Sequence, residues 1–370
     1  MRIAEVEALH LRIPEVQEIA DGTQDVLVVR VRTDEGLVGY GEVSSAPTVV
    51  KAAIEAPRSA ARRHGLAAVM VGTDPLDPPA RWQEMYDASR WYGRRGVAIH
   101  AMSGIDLALW DIVGKAAGKP LAGLWGQRRA RVRAYASTLF PDTAEEAERI
   151  TQDFAAQGFT AVKFGWGSFG HDLEHDHAIL DAIVAAAGDQ VEVMVDAGLA
   201  WTADEAIRRA KLLFERYPIT WLEEPLKEDD LDGYRRLTKE VDGRIAAGES
   251  DSTIYPFRDL LDRGVRVLQP DVGRAGGLTT CRQIGDLARE RGAWCVPHCF
   301  STGINLAASL QWMAVVPDAP FIEYSVRSSP LRNRLVRNVP IAVNGWVDVP
   351  TGPGLGIEVD EAVIDEFRVI

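Results

Sequence analysis

Cysteine is scarce in this chain: there are three among 370 residues, with no Cys-x-x-Cys pair. An odd, unpaired set argues against a disulfide scaffold and for a reducing, cytoplasmic setting. Positive charge is also short, with 41 Lys and Arg against 54 Asp and Glu and a formal net charge of −13. A nucleic-acid partner needs Lys and Arg along its contact face, so this balance argues against one. It does not argue against an anionic substrate, because a bound cation inverts the local field. No apolar run approaches the roughly 18 residues of a spanning helix, which argues against a membrane partner. The opening MRIAEVEALHLRI has no apolar signal-peptide core. What is present, at 46% hydrophobic, suffices for one large or two medium cores.

The first 45 residues are β-rich. Val26 to Val31 is dense in Val and Leu, Asp34-Glu35-Gly36 is a turn signal, and Leu37 to Val43 resumes as a strand, which predicts a hairpin. Residues 47–118 carry helical patterning, and the helix from Val97 to Ala117 is stopped by Gly118 and Pro120. This makes an α+β module over residues 1–125. From Arg131 the pattern changes to short apolar runs alternating with helical segments. The runs are VRAYAS (132–137), FTAVKF (159–164), VEVMVD (191–196), ITWLEE (219–224), GRIAAGE (243–249), VRVLQPD (265–271), AWCVPH (293–298) and APFIEY (319–324). Alternation roughly every 25 residues predicts parallel βαβ units. Eight such units over residues 126–349 suit a (β/α)8-type barrel, a modified TIM barrel, with a doubly wound open sheet as the alternative. Residues 350–370, with Gly352-Pro353-Gly354-Leu355-Gly356, are read as a tail that leaves the barrel and rejoins the N-terminal capping module.

Charged residues follow the apolar runs at or near their C-terminal ends: Lys163, Asp196, Glu223, Glu249, Asp271, His298 and Glu323. In a barrel those ends share one mouth. Asp196, Glu223 and Glu249 come from adjacent runs and would repel one another strongly. A hard divalent cation resolves the conflict, and all-oxygen ligation favours Mg²⁺ over its competitors Mn²⁺ and Ca²⁺. Glu224 faces away from Glu223 along a strand, so Glu223 is taken as the ligand and Glu224 as a supporting residue. Asp271 beside His298 would fix the imidazole tautomer and raise its pKa, giving a tuned acid/base. Lys163 is read as a second base or as an anchor for a substrate carboxylate, with a pKa lowered by burial near a metal.

These residues lie in the motifs AVKFG (161–165), VDAG (195–198), WLEEP (221–225), GES (248–250), QPD (269–271), GRAGG (273–277) and PH (297–298), preceded by ALWDIVGKAAGKPLAGLWG (108–126). In this order they resemble the enolase superfamily, and within it the mandelate racemase subgroup, over nearly the whole chain. The resemblance implies a capped barrel with Asp196, Glu223 and Glu249 as Mg²⁺ ligands. It also implies His298 with Asp271 as acid/base dyad and Glu323 hydrogen-bonding a developing enolate. Enolase-type sites with a Lys or His base and Mg²⁺ are a known pattern for removing a proton α to a carboxylate. The subgroup often carries Lys-x-Lys on the second strand, with the second lysine as a base; here that position is Gly165, and Lys163 matches the carboxylate-contacting first lysine. Gly198 also stands where members often place a polar residue.

The expected reaction is Mg²⁺-dependent dehydration of a sugar acid, an aldonate or aldarate, with racemisation of an α-hydroxy acid as runner-up. The expected partners are a small-molecule carboxylate substrate and further copies of the chain in a homo-oligomer. A non-catalytic barrel relative would instead show an inert site without metal affinity. His171-Asp172-Leu173-Glu174-His175 matches an inverted zinc-protease motif but reads as a solvated helix start. Cys295, His298 and Cys299 could suggest a soft-metal site, although alternation turns Cys299 away from His298. The polar loop from Ile13 to Thr23 is expected to cap the barrel mouth. Tyr92-Gly93-Arg94-Arg95-Gly96 is a weaker candidate for reaching the substrate.

Overall fold

The computed structural model describes residues 1–19, 21–59, 64–317 and 319–369; Ala20 of the expected capping loop lies outside them. The chain begins with β1 (Ile3–Arg12), β2 (Asp25–Thr33) and β3 (Val38–Val43), which pair antiparallel in that order. The expected hairpin is β2–β3, turning at Asp34–Gly36 with Arg32 opposite Val38. Helices α1 (Pro47–Glu55), α2 (Ala67–Met70), α3 (Pro78–Ala88) and α4 (Val97–Ala116) follow, then a short α5 (Leu121–Leu124). The first three strands and α4 share one apolar core. Gly41 makes their contact possible: a Cβ there would lie 2.0 Å from the Gly104 carbonyl oxygen. By length and composition α4 could cross a membrane, contrary to the sequence expectation that no stretch could, yet 83% of its apolar window is buried inside the fold.

The second part alternates strictly: β4 (Arg131–Leu139), α6 (Ala144–Ala156), β5 (Ala161–Gly165), α7 (Leu173–Ala187), β6 (Glu192–Asp196), α8 (Ala203–Arg216), β7 (Ile219–Glu223) and α9 (Leu231–Glu240). It continues with β8 (Ile245–Ala247), α10 (Ile254–Asp262), β9 (Val267–Leu268), α11 (Gly277–Glu290), β10 (Trp294–Cys295), α12 (Gly303–Met313) and β11 (Ile322–Ser325). Neighbouring strands from β4 to β10 pair parallel in sequence order, and β11 returns to pair with β4, Ile322 opposite Ala134. Last pairing with first excludes the doubly wound sheet, although no ladder joins β10 to β11 among the described residues. The closed interior is plugged by one residue per strand position: Tyr135, Ala161, Met194, Trp221, Ala246, Val267, Val296 and Phe321. Their rings meet edge to face, Tyr135 to Trp221 at 5.6 Å and Trp221 to Phe321 at 5.9 Å.

After α13 (Pro330–Arg334), strands β12 (Ala342–Val343) and β13 (Trp346–Asp348) form a hairpin that adds antiparallel to β4. The tail ends in α14 (Glu361–Phe367). Gly354 bridges to Pro120, Arg368 to Leu11, and Glu361 takes Arg30 at 2.5 Å and the Tyr40 hydroxyl.

Candidate active site

The barrel register explains how apolar runs deliver polar residues to one place. Side chains alternate along a strand, so the residue two beyond each plug residue again points inward, one layer nearer the mouth. Above Tyr135 stands Ser137, above Ala161 Lys163, above Met194 Asp196, above Trp221 Glu223, above Val267 Gln269, above Val296 His298 and above Phe321 Glu323. On β8 the rule lands on Gly248, whose φ of 121° lets the chain turn and present Glu249 instead. Asp271 lies one further step up from Gln269. Ser137 and Gln269 were missed at the sequence level because neither is charged; the same two-residue step finds both.

Asp196, Glu223 and Glu249 each offer an oxygen within 4.8 Å of the others, and all three are buried. Burial, reinforced by Glu223, pushes the Asp196 carboxyl well above its ordinary range, and burial also raises Glu223. Such a set is unfavourable as bare anions, and its all-oxygen donors fit a hard divalent cation. Glu223 also accepts from Trp221 Nε1 at 2.9 Å, Gln269 Nε2 at 2.5 Å and Lys163 Nζ. Glu224, at φ 38°, is buried beside the set with its Oε2 unpartnered.

Lys163 lies 2.9 Å from Glu323 Oε1 and 4.0 Å from Asp196 Oδ2. The expectation of a lowered lysine pKa is corrected: burial does oppose the charge, but Glu223 and Glu323 outweigh it and hold the amine well above its usual value. Glu323 Oε1 also accepts from Ser137 Oγ at 2.7 Å, and its Oε2 accepts from the Cys299 backbone N–H at 2.6 Å. Against the cost of burial, Lys163 holds this carboxyl below the usual range.

His298 Nδ1 lies 2.8 Å from Asp271 Oδ2. The other Asp271 oxygen accepts from Gly273 N–H at 2.6 Å and Asn305 Nδ2 at 2.9 Å. Burial alone would favour the uncharged acid, but the His298 bond and Arg274 pull Asp271 down to about 2. Burial opposes the imidazolium too, yet Glu249, Glu323 and the Asp271 bond raise His298 to about 9. Glu249, 3.6 Å from Nε2, therefore contributes more than the dyad partner. Arg274 spans the two sides, donating to the Ser44 carbonyl at 2.6 Å and the Glu249 carbonyl at 3.2 Å.

These groups open on a cavity of about 320 Å³, walled by Lys163, Gly165, Trp166, Asp196, Glu249, Arg274, His298, Phe300 and Glu323, with Asp21 and Gly22 supplied by the N-terminal loop. Among the described residues Tyr92 to Gly96 do not line it: the Tyr92 hydroxyl donates to the His64 carbonyl at 2.9 Å and the Gly96 N–H to Ser252 Oγ at 2.8 Å. A Cβ on Gly165 would lie 2.5 Å from Asp196 Oδ2, so a side chain at the position of the missing second lysine would displace Asp196 from where it stands. Trp166 packs over Gly198, 3.3 Å from where a Cβ would stand. His171 lies before α7 and the His175 ring meets Ser168 Oγ at 3.3 Å, and among the described residues the protease motif assembles no metal-binding group. The three cysteines are free and buried.

Residues 7–126 match the model of the mandelate racemase / muconate lactonizing enzyme N-terminal domain, and residues 142–363 match the enolase C-terminal domain-like model. The chain belongs to the enolase superfamily. Within this superfamily it is 34% identical over 360 residues to the D-galactarolactone cycloisomerase of Agrobacterium fabrum, covering 93% of this chain and 91% of that one. It is 31% identical over 359 residues to the arabinonate dehydratase of Saccharolobus solfataricus, covering 95% and 93%. The crystal structure of the 3,6-anhydro-D-galactonate cycloisomerase from Zobellia galactanivorans superimposes with a TM-score of 0.89 at 30% identity, over all of both chains.

Proposed function

We propose that this superfamily member is a Mg²⁺-dependent carbon–oxygen lyase that dehydrates a sugar acid, an aldonate or aldarate, to a 2-keto-3-deoxy acid. The observation that carries the reading is one imidazole–carboxylate dyad beside a buried carboxylate triad, with Gly165 leaving no second base. Asp196, Glu223 and Glu249 would hold the ion. When bound, Mg²⁺ supplies fixed positive charge against which the negative charge of an enediolate is stabilised. Lys163 binds and orients the substrate carboxylate, held in place by Glu323. Glu249, the charge that does most to raise His298, would be engaged by the ion, which leaves the imidazole free to remove the α-proton at Nε2 while Asp271 keeps the Nδ1 proton in place. The resulting imidazolium returns that proton to the departing β-hydroxyl, and the enol product tautomerises to the keto acid. Residues 1–125 with 350–370 act as a cap that excludes water from the barrel of residues 126–349. The active form we take to be a homo-oligomer acting on a small carboxylate.

A racemase needs acid/base groups on both faces of the α-carbon, and Gly165 removes the second. A cycloisomerase is the stronger second reading, favoured by two of the relatives' names: a β-oxygen that leaves from within a ring requires the same single base. The test is a panel of aldonates, aldarates, their lactones and anhydro acids, assayed with Mg²⁺ and with excess chelator. Keto-acid formation that the chelator abolishes supports the reading; turnover undiminished by chelator, or none on any acid, overturns it.

A further inference from the structure

Among the fully buried carboxylates that the mechanism above leaves unused is Glu42. Glu42 is the penultimate residue of β3, and its side chain crosses from the cap into the segment that follows His298. Oε1 accepts from the Ser301 hydroxyl and from the Thr302 backbone N–H at 3.1 Å. Oε2 accepts from Thr302 Oγ1 at 2.7 Å and from the Asn305 backbone N–H at 3.0 Å. The carboxylate thus sits on the N-terminus of α12, where helix N–H groups and dipole favour an anion. Asn305 in turn donates its side-chain amide to Asp271 Oδ1 at 2.9 Å, and Asp271 holds His298. Two residues on, Ser44 N–H donates to the Gly273 carbonyl at 3.3 Å, while its own carbonyl accepts from Arg274. One strand end of the cap therefore grips both the loop that carries Asp271 and the turn that follows His298.

We propose that Glu42 is a positioning residue: it sets the orientation of the His298 imidazole through α12, Asn305 and Asp271, so that the cap assembles the acid/base dyad as well as covering it. This rests on His298 being the base. It follows that the cap is part of the proton-transfer machinery even though none of its atoms takes the proton. Replacing Glu42 by glutamine keeps the shape but turns one acceptor into a donor. In one amide orientation the NH₂ group faces the Asn305 N–H and in the other the Thr302 N–H just before α12, so the start of the helix that carries Asn305 must shift.

The test compares wild type, Glu42→Gln and His298→Asn, all labelled with [¹⁵N]histidine. Long-range ¹H–¹⁵N correlation reads the two ring nitrogens of His298, assigned by their absence from His298→Asn. The inference expects the Nδ1 and Nε2 shifts of His298 to move in Glu42→Gln while other histidines stay put. It also expects kcat to fall roughly 10- to 100-fold, the usual size of an outer-partner effect, with KM and Mg²⁺ affinity unchanged. Unmoved His298 shifts in folded Glu42→Gln overturn it. Should that variant not fold, Ser301→Ala decides, since it removes one donor and leaves the carboxylate: moved shifts support the inference and unmoved shifts overturn it. The spectra need no substrate, so failure of the proposed dehydration and failure of this inference are read separately.

Discussion

Lys163 is carried into a site where burial alone would strip its proton, and it keeps its charge because Glu223 and Glu323 stand against it. His298 and Glu323 likewise keep their charge against burial through the opposite charges beside them, so single substitutions at the mouth should act differently on metal and substrate. Asp196→Asn, Glu223→Gln and Glu249→Gln should each weaken Mg²⁺ binding, measured by calorimetry, by more than the roughly 100-fold that ends the range for outer partners. Lys163→Met should leave ion binding measurable and raise KM; an unchanged KM would sink its role as carboxylate anchor. His298→Asn should lower kcat by roughly 100- to 10,000-fold, the scale of a lost general base. The charged residues were legible in the sequence because each closes an apolar run. Gln269 and Ser137 were not, although they hold Glu223 and Glu323 in place. Nor did the sequence say why position 165 is glycine; only the packing of Asp196 against it does.

At the scale of elements, cap and barrel meet along a buried polar seam. Asp106 on α4 accepts from the Thr279 N–H at 2.9 Å and the Thr279 hydroxyl at 2.6 Å, at the start of α11. Burial lifts its carboxyl from 3.8 to about 7 in spite of those bonds. Between these values the folded protein holds a proton that the unfolded chain has released. Stability from this group is therefore present at pH 4, declines as pH rises towards 7, and changes no further above it. At about 1.4 kcal/mol per pH unit, Asp106→Asn should gain on wild type steadily across that window, as thermal melts from pH 4.5 to 8 would show; parallel curves would contradict the assignment. The loop from residue 13 to 23 places Asp21 and Gly22 on the cavity wall. Shortening it should raise KM or change substrate preference with Mg²⁺ affinity intact, and unchanged kinetics on every substrate would show that it takes no part. The β12–β13 hairpin was readable but unread: Asn344 and Gly345 take φ of 49° and 73°, as a tight two-residue hairpin turn requires. Its strands are too short to produce an alternating pattern, so only the turn could have announced it.

For the whole molecule, strand–helix alternation predicted the barrel, and closure is settled by β11 beside β4 and by the ring of plug residues. The tail's return to the N-terminal module was expected from its Gly-Pro-Gly run, but periodicity could not name Tyr40 and Arg30 as its partners, because those contacts join residues more than 300 positions apart. The account's central claim is that one base removes an α-proton and the β-oxygen then leaves. It is tested most directly by incubating the enzyme with Mg²⁺ and a sugar-acid panel in D₂O and following the products by NMR and semicarbazide absorbance. The account predicts a 2-keto-3-deoxy acid, deuterated at the carbon that lost its hydroxyl, with no epimer of the substrate. Exchange of the α-proton in both epimers, without keto acid from any substrate, would contradict it.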